Sequence, residues 1–477
     1  MPQAQVAGGH YIPDGLGDSV KYCVNLYPEK NDADAARPVK LVKRPGSLDL
    51  IQSSGVTFTS VRGMGQADGH ASGDVLIVDG DTVRTYDTAA ATYGTLTGTV
   101  AGSDRAQIIF AEVEAAILAG GVLHVSDGSA VAAATGADYA TLLSDHNETG
   151  FTSVATLGQR ALLTYGSRFC FSDTLDFNET TTLSFYTAES APDGIVAGHT
   201  LGDYYHIFGT QTIETWVQTG VQDDPFRPMT SSVIQRGCLA RDTIKLLDNT
   251  LYFVADDYSV RRLNGVATEI VSQPWVTRAL RAEDPADLIA ATMEHDNHTF
   301  YIINGLNGCY VYSVAFNVWC MFKSLESATW DFAYILQKGG LHYGLGRTGT
   351  RFSALSSSHR SDNKASASAF GEQIVWEFTA HLSVNSGRAP IASVRIDGTK
   401  GVGAVEDANE DGLVEMRISK DNGNDWGNWR RRSTGRQGQY AERTIWRRCG
   451  RAREPQTIMH FRGNDMQQIY GVSVNDD

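Results

Sequence analysis

Two segments bring together side chains that could bind a metal ion. Residues 295–298 read HDNH, so His295 and His298 flank two residues that favour turns. Residues 406–412 read EDANEDG, but their oxygen ligands do not alternate as an EF-hand-type calcium loop requires. We predict that the first segment forms a turn and that the second forms a solvated loop. We therefore predict no metal ligand in either.

One glycine-rich segment matches the pattern of a phosphate-binding loop. Residues 344–349 read GLGRTG, which fits GxGxxG and follows a predicted strand. A second strand is predicted after it, so no helix N-terminus is there to receive a pyrophosphate. The segment therefore predicts a hairpin turn and no cofactor. Since the sequence also lacks a GxSxG elbow, an HExxH pair and a Walker A loop, we predict that the protein is not an enzyme.

Basic side chains concentrate between residues 429 and 453. Five of them are predicted to form a subunit interface: Arg443, Arg447, Arg448, Arg451 and Arg453. In the predicted strand 443–448, residues 444, 446 and 448 would face away from 443, 445 and 447. Guanidinium groups pair well with the carboxylates of an adjacent subunit, or with nucleic-acid phosphates. The net charge of −15 favours the subunit contacts, and nucleic-acid binding stays the alternative.

A turn motif in the same region resembles the Asp-box hairpin of sialidase-type propellers. Residues 419–426 read SKDNGNDW, and in an Asp box the aspartate accepts hydrogen bonds from turn amides while the tryptophan packs beneath. The resemblance implies a hairpin. Propeller glycosidases carry several such boxes, whereas the sequence has one, outside the predicted propeller. A β-propeller glycosidase or lectin-like carbohydrate-binding tail protein is therefore the alternative function.

A repeated β-hairpin supplies the framework for these segments. Its two strands are predicted at 74–78 with 82–86, 161–165 with 168–171, 204–208 with 212–217, 250–255 with 258–263, 300–303 with 309–314, and 341–344 with 350–355. One hairpin cannot bury its apolar face alone, so hairpins at intervals of 40–50 residues are typical of a β-propeller. We predict five to seven blades, without the WD or kelch signatures of propeller interaction modules.

The predicted fold is all-β. It comprises an extended N-terminal arm (1–55), a β-propeller (56–355), a polar linker (356–369) and a C-terminal β-sandwich domain (370–477). The arm ends at the turn signal RPGS, residues 44–47, and must dock on its own propeller or on a neighbouring subunit. One short helix is predicted over 284–293, because Asp284-Pro285 fits an N-cap followed by proline at the first helical position.

The sequence contains no apolar stretch long enough to predict a transmembrane helix. Its first residues, MPQAQ, lack the basic and apolar regions of a secretory signal. The six cysteines lie far apart and include no CxxC pair, which predicts reduced, mostly buried thiols and no zinc site. These features predict a protein made in the cytoplasm with no membrane partner.

Several blocks together resemble one family, from about residue 10 to residue 470. They read AESAPDGI at 188–195, FGTQTIE at 208–214 with TG at 219–220, YII at 301–303 after His298, YVY at 310–312 before Trp319, and IWRRCGR at 445–451. This arrangement is similar to the packaged-DNA stabilisation proteins, also called tail accessory factors or tail nozzles, of short-tailed bacteriophages (podoviruses). The arm and residues 401–412 match poorly.

The resemblance implies a structural virion protein of the phage tail. It implies a homo-oligomeric ring, a hexamer, placed as a head-tail connector below the portal and its adaptor ring. Viral double-stranded DNA would be retained by the ring and pass through its lumen during ejection. The implied partners are the portal and adaptor proteins, a tail needle or plug that closes the far end, and tailspikes or fibres. The host cytoplasm would be the site of synthesis.

Overall fold

The computed structural model describes most of the chain. The described residues are 3–6, 9, 21–31, 38–51, 56–67, 73–111, 114–188, 193–221, 224–229, 232–265, 267–349, 351–366, 369–382, 389–404, 406, 409–452 and 457–475. Helices take up 5% of the residues and strands 53%, which confirms the all-β prediction.

Five short strands precede the repeated hairpins. They are β1 (Gln3–Val6), β2 (Cys23–Val24), β3 (Leu26–Lys30), β4 (Val39–Lys43) and β5 (Gly46–Asp49). Strands β3 and β4 form an antiparallel hairpin.

The described residues then form a seven-bladed propeller, within the predicted range of five to seven blades. Each blade is an antiparallel sheet of four strands. Blades 1 to 3 are β6 (Val61–Gln66), β7 (Val75–Asp79), β8 (Thr82–Asp87) and β9 (Thr92–Thr95); β10 (Gln107–Ala111), β11 (Glu114–Ala119), β12 (Val122–Ser126) and β13 (Val131–Ala133); and β14 (Ser153–Leu157), β15 (Arg160–Tyr165), β16 (Arg168–Phe171) and β17 (Phe185–Thr187).

Blades 4 to 7 continue the pattern. They are β18 (Ile195–Leu201), β19 (Tyr204–Gly209), β20 (Ile213–Gln218) and β21 (Phe226–Pro228); β22 (Lys245–Leu247), β23 (Thr250–Val254), β24 (Val260–Asn264) and β25 (Ala267–Ile270); β26 (Ile289–His295), β27 (His298–Asn304), β28 (Cys309–Ser313) and β29 (Val318–Met321); and β30 (Phe332–Lys338), β31 (Leu341–Gly346) and β32 (Phe352–Ser356), completed by β5.

The N-terminal strand β5 closes the ring of blades. It pairs with β32 in the register Ser47 to Leu355, so residues about 300 positions apart share one sheet. The predicted turn at 44–47 is therefore wrong, because Gly46 and Ser47 begin a strand. A Cβ atom at Gly46 would lie 2.4 Å from the carbonyl oxygen of Ser361, so only glycine allows this close approach.

The hydrophobic core divides according to this architecture. Buried apolar side chains of the described residues group into eight clusters, seven between adjacent blades and one inside the sandwich. The cluster between blades 7 and 1, which includes Ile77, Tyr86, Tyr343 and Phe352, is as continuous as those between consecutive blades. Burial of apolar side chains therefore stabilises the propeller at all seven contacts between neighbouring blades.

Two α-helices lie between blades in the described part of the chain. They are α1 (Ala137–Asp145), after blade 2, and α2 (Pro274–Arg281), after blade 5. The predicted helix over 284–293 is wrong. Asp284 does cap a turn, accepting a hydrogen bond from the Ala286 amide (2.9 Å), but this is the single 3₁₀ turn Pro285–Asp287. The apolar run that follows is the buried inner strand β26, since short apolar runs fit a strand or a helix equally well.

The remaining strands form a β-sandwich and its connection to the propeller. They are β33 (Ser361–Asp362), β34 (Glu372–Gln373), β35 (Trp376–Leu382), β36 (Ala389–Gly398), β37 (Gly412–Ser419), β38 (Arg430–Gly435), β39 (Ile445–Ala452), β40 (Ile458–Gly463) and β41 (Gln468–Val474). One sheet has the order β38-β37-β40-β35, and the other the order β39-β36-β41-β4-β3. Trp376, Phe378, Trp446 and Phe461 fill the core between them.

Residues of the N-terminal segment join the two domains. Strand β1 pairs with β35 and with β41, one strand from each sheet of the sandwich. Strand β2 pairs with β29 of blade 6 on one side and with β35 on the other. A continuous hydrogen-bonded sheet therefore runs from the propeller into the sandwich through the segment that was predicted to need a docking surface.

Candidate assembly surface and domain junction

The predicted interface arginines lie on and beside β39, a strand at the edge of one sandwich sheet. Arg443, Arg447, Arg448 and Arg451 are exposed, and Arg453 lies outside the described residues. The guanidinium groups of Arg443, Arg448 and Arg451 make no hydrogen bond or ion pair with described residues. These three guanidinium groups are therefore available to a partner.

A β-bulge sets the direction of two of these side chains. The register of β39 against β36 shifts between Gly450 (opposite Ile391) and Arg447 (opposite Ser393), and Arg448 has a φ of 56°. The predicted alternation, with Arg448 on the face of residue 446, is therefore wrong: Trp446 is buried while Arg447 and Arg448 are both exposed. A bulge inserts a residue and breaks the period of two, so it presents two neighbouring arginines together.

Other arginines of the basic region bind within the protomer. Arg430 donates to the carbonyl oxygen of Arg447 (2.5 Å), and Arg432 donates to that of Ile445 (2.9 Å). These bonds occupy carbonyl groups at the open edge of β39, which would otherwise invite pairing with another strand. Arg431 and Arg436 pair with Glu415 (3.1 Å) and Asp411 (2.9 Å). Sequence position alone could not separate these arginines from the unpaired ones.

A buried arginine holds the domain junction together. Arg44 binds both carboxylate oxygens of Asp362, at 3.0 and 2.5 Å. Its remaining N–H groups donate to the Asn25 side chain (2.8 Å) and to the carbonyl oxygens of Lys323 and Pro45. All five donors of the guanidinium are thus used, and none of its side-chain surface is exposed. The contacts unite the N-terminal segment, the end of blade 6 and the connection to the sandwich.

The neighbouring lysine is buried at the same junction. Lys43 Nζ donates to the carbonyl oxygens of Arg360 (2.9 Å) and Asn464 (3.1 Å). Burial lowers the pKa of Lys43 to about 7, and the positive charge of Arg360 acts in the same direction. The ammonium therefore loses much of its charge near neutral pH while keeping both contacts to the sandwich side.

The outer face of the sandwich sheet β38-β37-β40-β35 carries a cluster around a buried histidine. His460 Nε2–H donates to Glu377 (3.0 Å), and His460 Nδ1 accepts from Arg417 Nε–H (3.1 Å). Because that arginine nitrogen can only donate, these contacts fix a neutral imidazole. Tyr22, from the N-terminal segment, stacks on the ring with centroids 4.5 Å apart. The cluster thus attaches that segment to the sandwich a second time.

The Asp-box prediction is confirmed in its geometry. Asp421 Oδ1 accepts from the Asp425 amide (2.9 Å) and from the Ser419 hydroxyl (2.7 Å), in the hairpin between β37 and β38. Trp426 packs against His460 and against Arg417, whose guanidinium lies 4.6 Å from the ring centroid. The box is thus part of the histidine cluster.

Models of two protein domains match the sequence. Residues 36–340 match the family described as "Bacteriophage P22 Gp10, beta-propeller", and residues 375–471 match "Bacteriophage P22 Gp10, beta-sandwich". The chain belongs to the Gp10 family of phage tail proteins. The resemblance stated from the sequence is thus confirmed, as are the propeller and the C-terminal sandwich. Proteins of this family are structural components of the virion tail.

Other comparisons add little to this assignment. No curated protein matches the chain. Among solved structures, PorZ from the type-IX secretion system of Porphyromonas gingivalis is 11% identical, with 79% of this chain and 46% of that chain covered and a TM-score of 0.39. The chain thus spans about half of that structure. BamB from Moraxella catarrhalis is also 11% identical, with 70% and 99% covered and a TM-score of 0.40.

Two family-like sequence blocks of this Gp10-type chain meet in the fold. Asp193, at the end of the first block, accepts hydrogen bonds from the amides of Gln211 (2.7 Å) and Thr212 (3.0 Å) in the second. A Cβ atom at Gly209 would lie 2.3 Å from the same carboxylate. The blocks therefore encode a capped turn between β19 and β20, which is a structural role; residues 189–192 lie outside the described residues.

The motifs with possible chemistry occupy turns in the Gp10-type fold. Residues 344–349 form the end of β31 and the start of the turn that leads to β32, so they belong to a hairpin, as predicted. His295 and His298 end paired strands, and burial lowers the pKa of both. No cluster of three or more potential metal ligands occurs among the described residues. In the described part of the chain, no helix is long and apolar enough to cross a membrane.

Proposed function

We propose that this Gp10-type protein forms a hexameric ring in the phage tail, below the portal and its adaptor. The ring retains packaged DNA, conducts it during ejection, and is closed by a tail needle or plug; tailspikes or fibres are further partners. The observation that carries the ring proposal is the set of exposed, unpaired arginines Arg443, Arg448 and Arg451 on the edge of the sandwich. Family membership supplies the place in the virion.

The charge balance favours a second copy of the chain as the partner of these arginines. The chain has 55 acidic and 40 basic residues, so neighbouring copies offer abundant carboxylates. A bidentate arginine–carboxylate contact fixes orientation as well as affinity, as a ring of identical subunits requires. We propose Arg443, Arg447, Arg448, Arg451 and Arg453 as this interface, with DNA phosphates as the alternative partner.

The joined domains suit a ring that bears mechanical load. The sheet through β2 and the Arg44 clamp connect propeller and sandwich by buried, directional contacts. We propose that each protomer moves as one body, with the domain limits 1–55, 56–355, 356–369 and 370–477 as its sequence segments. Retention of the genome then needs no chemistry on the DNA.

The glycosidase alternative receives less support. Two carboxylates flanking the scissile bond are the usual requirement for glycoside hydrolysis. In the described lining of the propeller cavity the carboxylate is that of Asp242, and both of its oxygens bind arginines. Purified protein is expected to show no turnover of polysaccharides.

Subunit assembly tests the interface directly. We expect the double variant Arg448→Ala/Arg451→Ala to dissociate the ring into protomers in sedimentation velocity, because two charged contacts per interface are lost. Lys30→Ala, at an exposed cation of β3 on the opposite edge of the same sandwich sheet, is the matched control and should assemble normally. Normal assembly of the double variant, together with a loss of DNA binding that steepens with salt, would instead support the nucleic-acid contact.

Genome retention tests the role in the virion. Phage particles assembled without the chain should package DNA and then lose it, which leaves empty, non-infectious capsids without completed tails. The DNA content of purified particles measures this outcome. Particles that keep their genomes through purification would contradict the retention role while leaving the ring proposal open to the assembly test.

A further inference from the structure

The propeller surrounds a central cavity of about 260 Å³. All seven innermost strands contribute to its lining, through Met64, Ile108, Val154, Ala197, Lys245, Ile289 and Tyr334. The cavity has room for a small molecule or ion, and a DNA helix is far too wide for it.

Charges in the lining do not balance. The charged residues are Arg105, Arg241, Asp242 and Lys245, a net charge of +2 in a chain of net charge −15. Asp242 binds Arg105 through one oxygen (3.0 Å) and Arg241 through the other (3.2 Å). Its carboxylate is therefore already shared between two guanidinium groups and cannot neutralise the remaining lysine.

Lys245 is the unpaired charge. Its ammonium makes no hydrogen bond or ion pair with any described residue, although its side chain lines the cavity. Burial lowers the pKa of Lys245, and nearby Arg241 lowers it further while Asp242 raises it. His199 beside it stays neutral, because burial lowers its pKa to about 4 and its Nδ1–H donates to the carbonyl oxygen of Thr200 (3.0 Å). The lowered pKa favours the neutral amine in the empty cavity, whereas an anion beside Lys245 would favour its charged form.

Neutral donors accompany the charge. Gln107 accepts from the Val154 amide through its oxygen (2.9 Å), which leaves its NH₂ group without a partner among the described residues. The Thr156 hydroxyl lines the same cavity and likewise binds no described residue. We propose that the cavity binds a small phosphate-class oxyanion, held by Lys245 with Gln107 and Thr156 as neutral donors. A dianion of this class matches the net charge of +2.

Titration with inorganic phosphate tests the site. At constant ionic strength, phosphate should raise the melting temperature of the full chain above that in chloride, and calorimetry should detect saturable binding. Lys245→Met, which keeps the length of the side chain, should weaken phosphate binding at least about tenfold. Lys245→Arg should retain it, and Lys420→Met, at an exposed position, should bind like the unchanged chain. Equal stability in phosphate and chloride, or unchanged binding by Lys245→Met, overturns the proposal.

Further measurements separate phosphate binding from effects on folding and on assembly of the hexameric ring. Thr156→Val removes one donor without a change in charge and should weaken binding by about threefold; no effect of this variant would exclude Thr156 from the site. A deoxynucleoside 5′-monophosphate and duplex DNA serve as competitors. Competition by the duplex without binding of inorganic phosphate overturns the small-anion site. Ring assembly, followed separately by sedimentation, should be the same for Lys245→Met and the unchanged chain.

Discussion

The domain junction and the edge of the sandwich use the same residue type in opposite ways. At the junction, Arg44 is buried and all its N–H groups have partners within the chain. At the edge, Arg448 and Arg451 are exposed and bind no described residue. A buried and fully paired arginine fixes the fold, whereas an exposed and unpaired one is free for another molecule. The comparison therefore separates arginines that stabilise the protomer from arginines that are free to bind a neighbouring molecule.

The largest expected effect is at the junction. Arg44→Met should lower the free energy of unfolding by about 3–5 kcal/mol, because it leaves the buried carboxylate of Asp362 without its partner. Denaturation in urea, with tryptophan fluorescence as the signal, measures the loss. Arg448→Met is the matched control and should stay within about 0.5 kcal/mol of the unchanged chain, as exposed sites usually do. Equal losses in the two variants would remove the distinction between junction and edge.

The contrast between the edge of the sandwich and the domain junction could be predicted only in part from the sequence. Hairpins could be predicted because turn residues such as Gly80 and Gly166, both at positive φ, lie beside the strands they connect. The Asp box is equally local. In contrast, β5 pairs with a strand about 300 residues away, and its four residues carry no alternation. Strands that pair across such a distance carry no signal in the local sequence, so the closure of the propeller by β5 was not predicted.

The candidate interface was predicted in identity but not in detail. Arginine spacing located Arg447, Arg448 and Arg451 near one strand, yet the bulge at Arg448 broke the expected alternation. The sequence also gave no means to tell Arg430, which binds a carbonyl oxygen of the neighbouring strand, from Arg451, which does not. The junction pair Arg44 and Asp362 was missed because its members are 318 residues apart.

The second prediction sharpens the comparison through the buried lysine of the junction. Lys43 has a pKa lowered from 10.5 to about 7. Between these values the unfolded chain binds a proton that the folded chain releases, so stability should rise from pH 7 to pH 9. One proton gives at most about 1.4 kcal/mol per pH unit. Urea denaturation of the unchanged chain and of Lys43→Met over this range measures the slope.

The exposed lysine Lys420 provides the comparison for that slope. Lys420→Met should keep the rise of stability with pH, because the group at this position is exposed in the folded chain. Lys43→Met should have a smaller slope than the unchanged chain, while the lowered pKa of Lys245 leaves part of the rise. An unchanged slope in Lys43→Met would assign the pH dependence to other groups.

The smallest expected effect concerns the histidine cluster that attaches Tyr22 to the sandwich. Burial lowers the pKa of His460 from its ordinary value of 6.5, against the opposite effect of Glu377. The unfolded chain therefore binds a proton first as the pH falls, so the stability present above pH 6.5 should decline below it, by no more than about 1.4 kcal/mol per pH unit. His460→Gln, which cannot titrate, should show a flatter profile between pH 7 and pH 5. If the unchanged chain and His460→Gln show the same dependence of stability on pH, the contacts of His460 do not keep its imidazole neutral. The contact between Tyr22 and the sandwich would then be insensitive to acid.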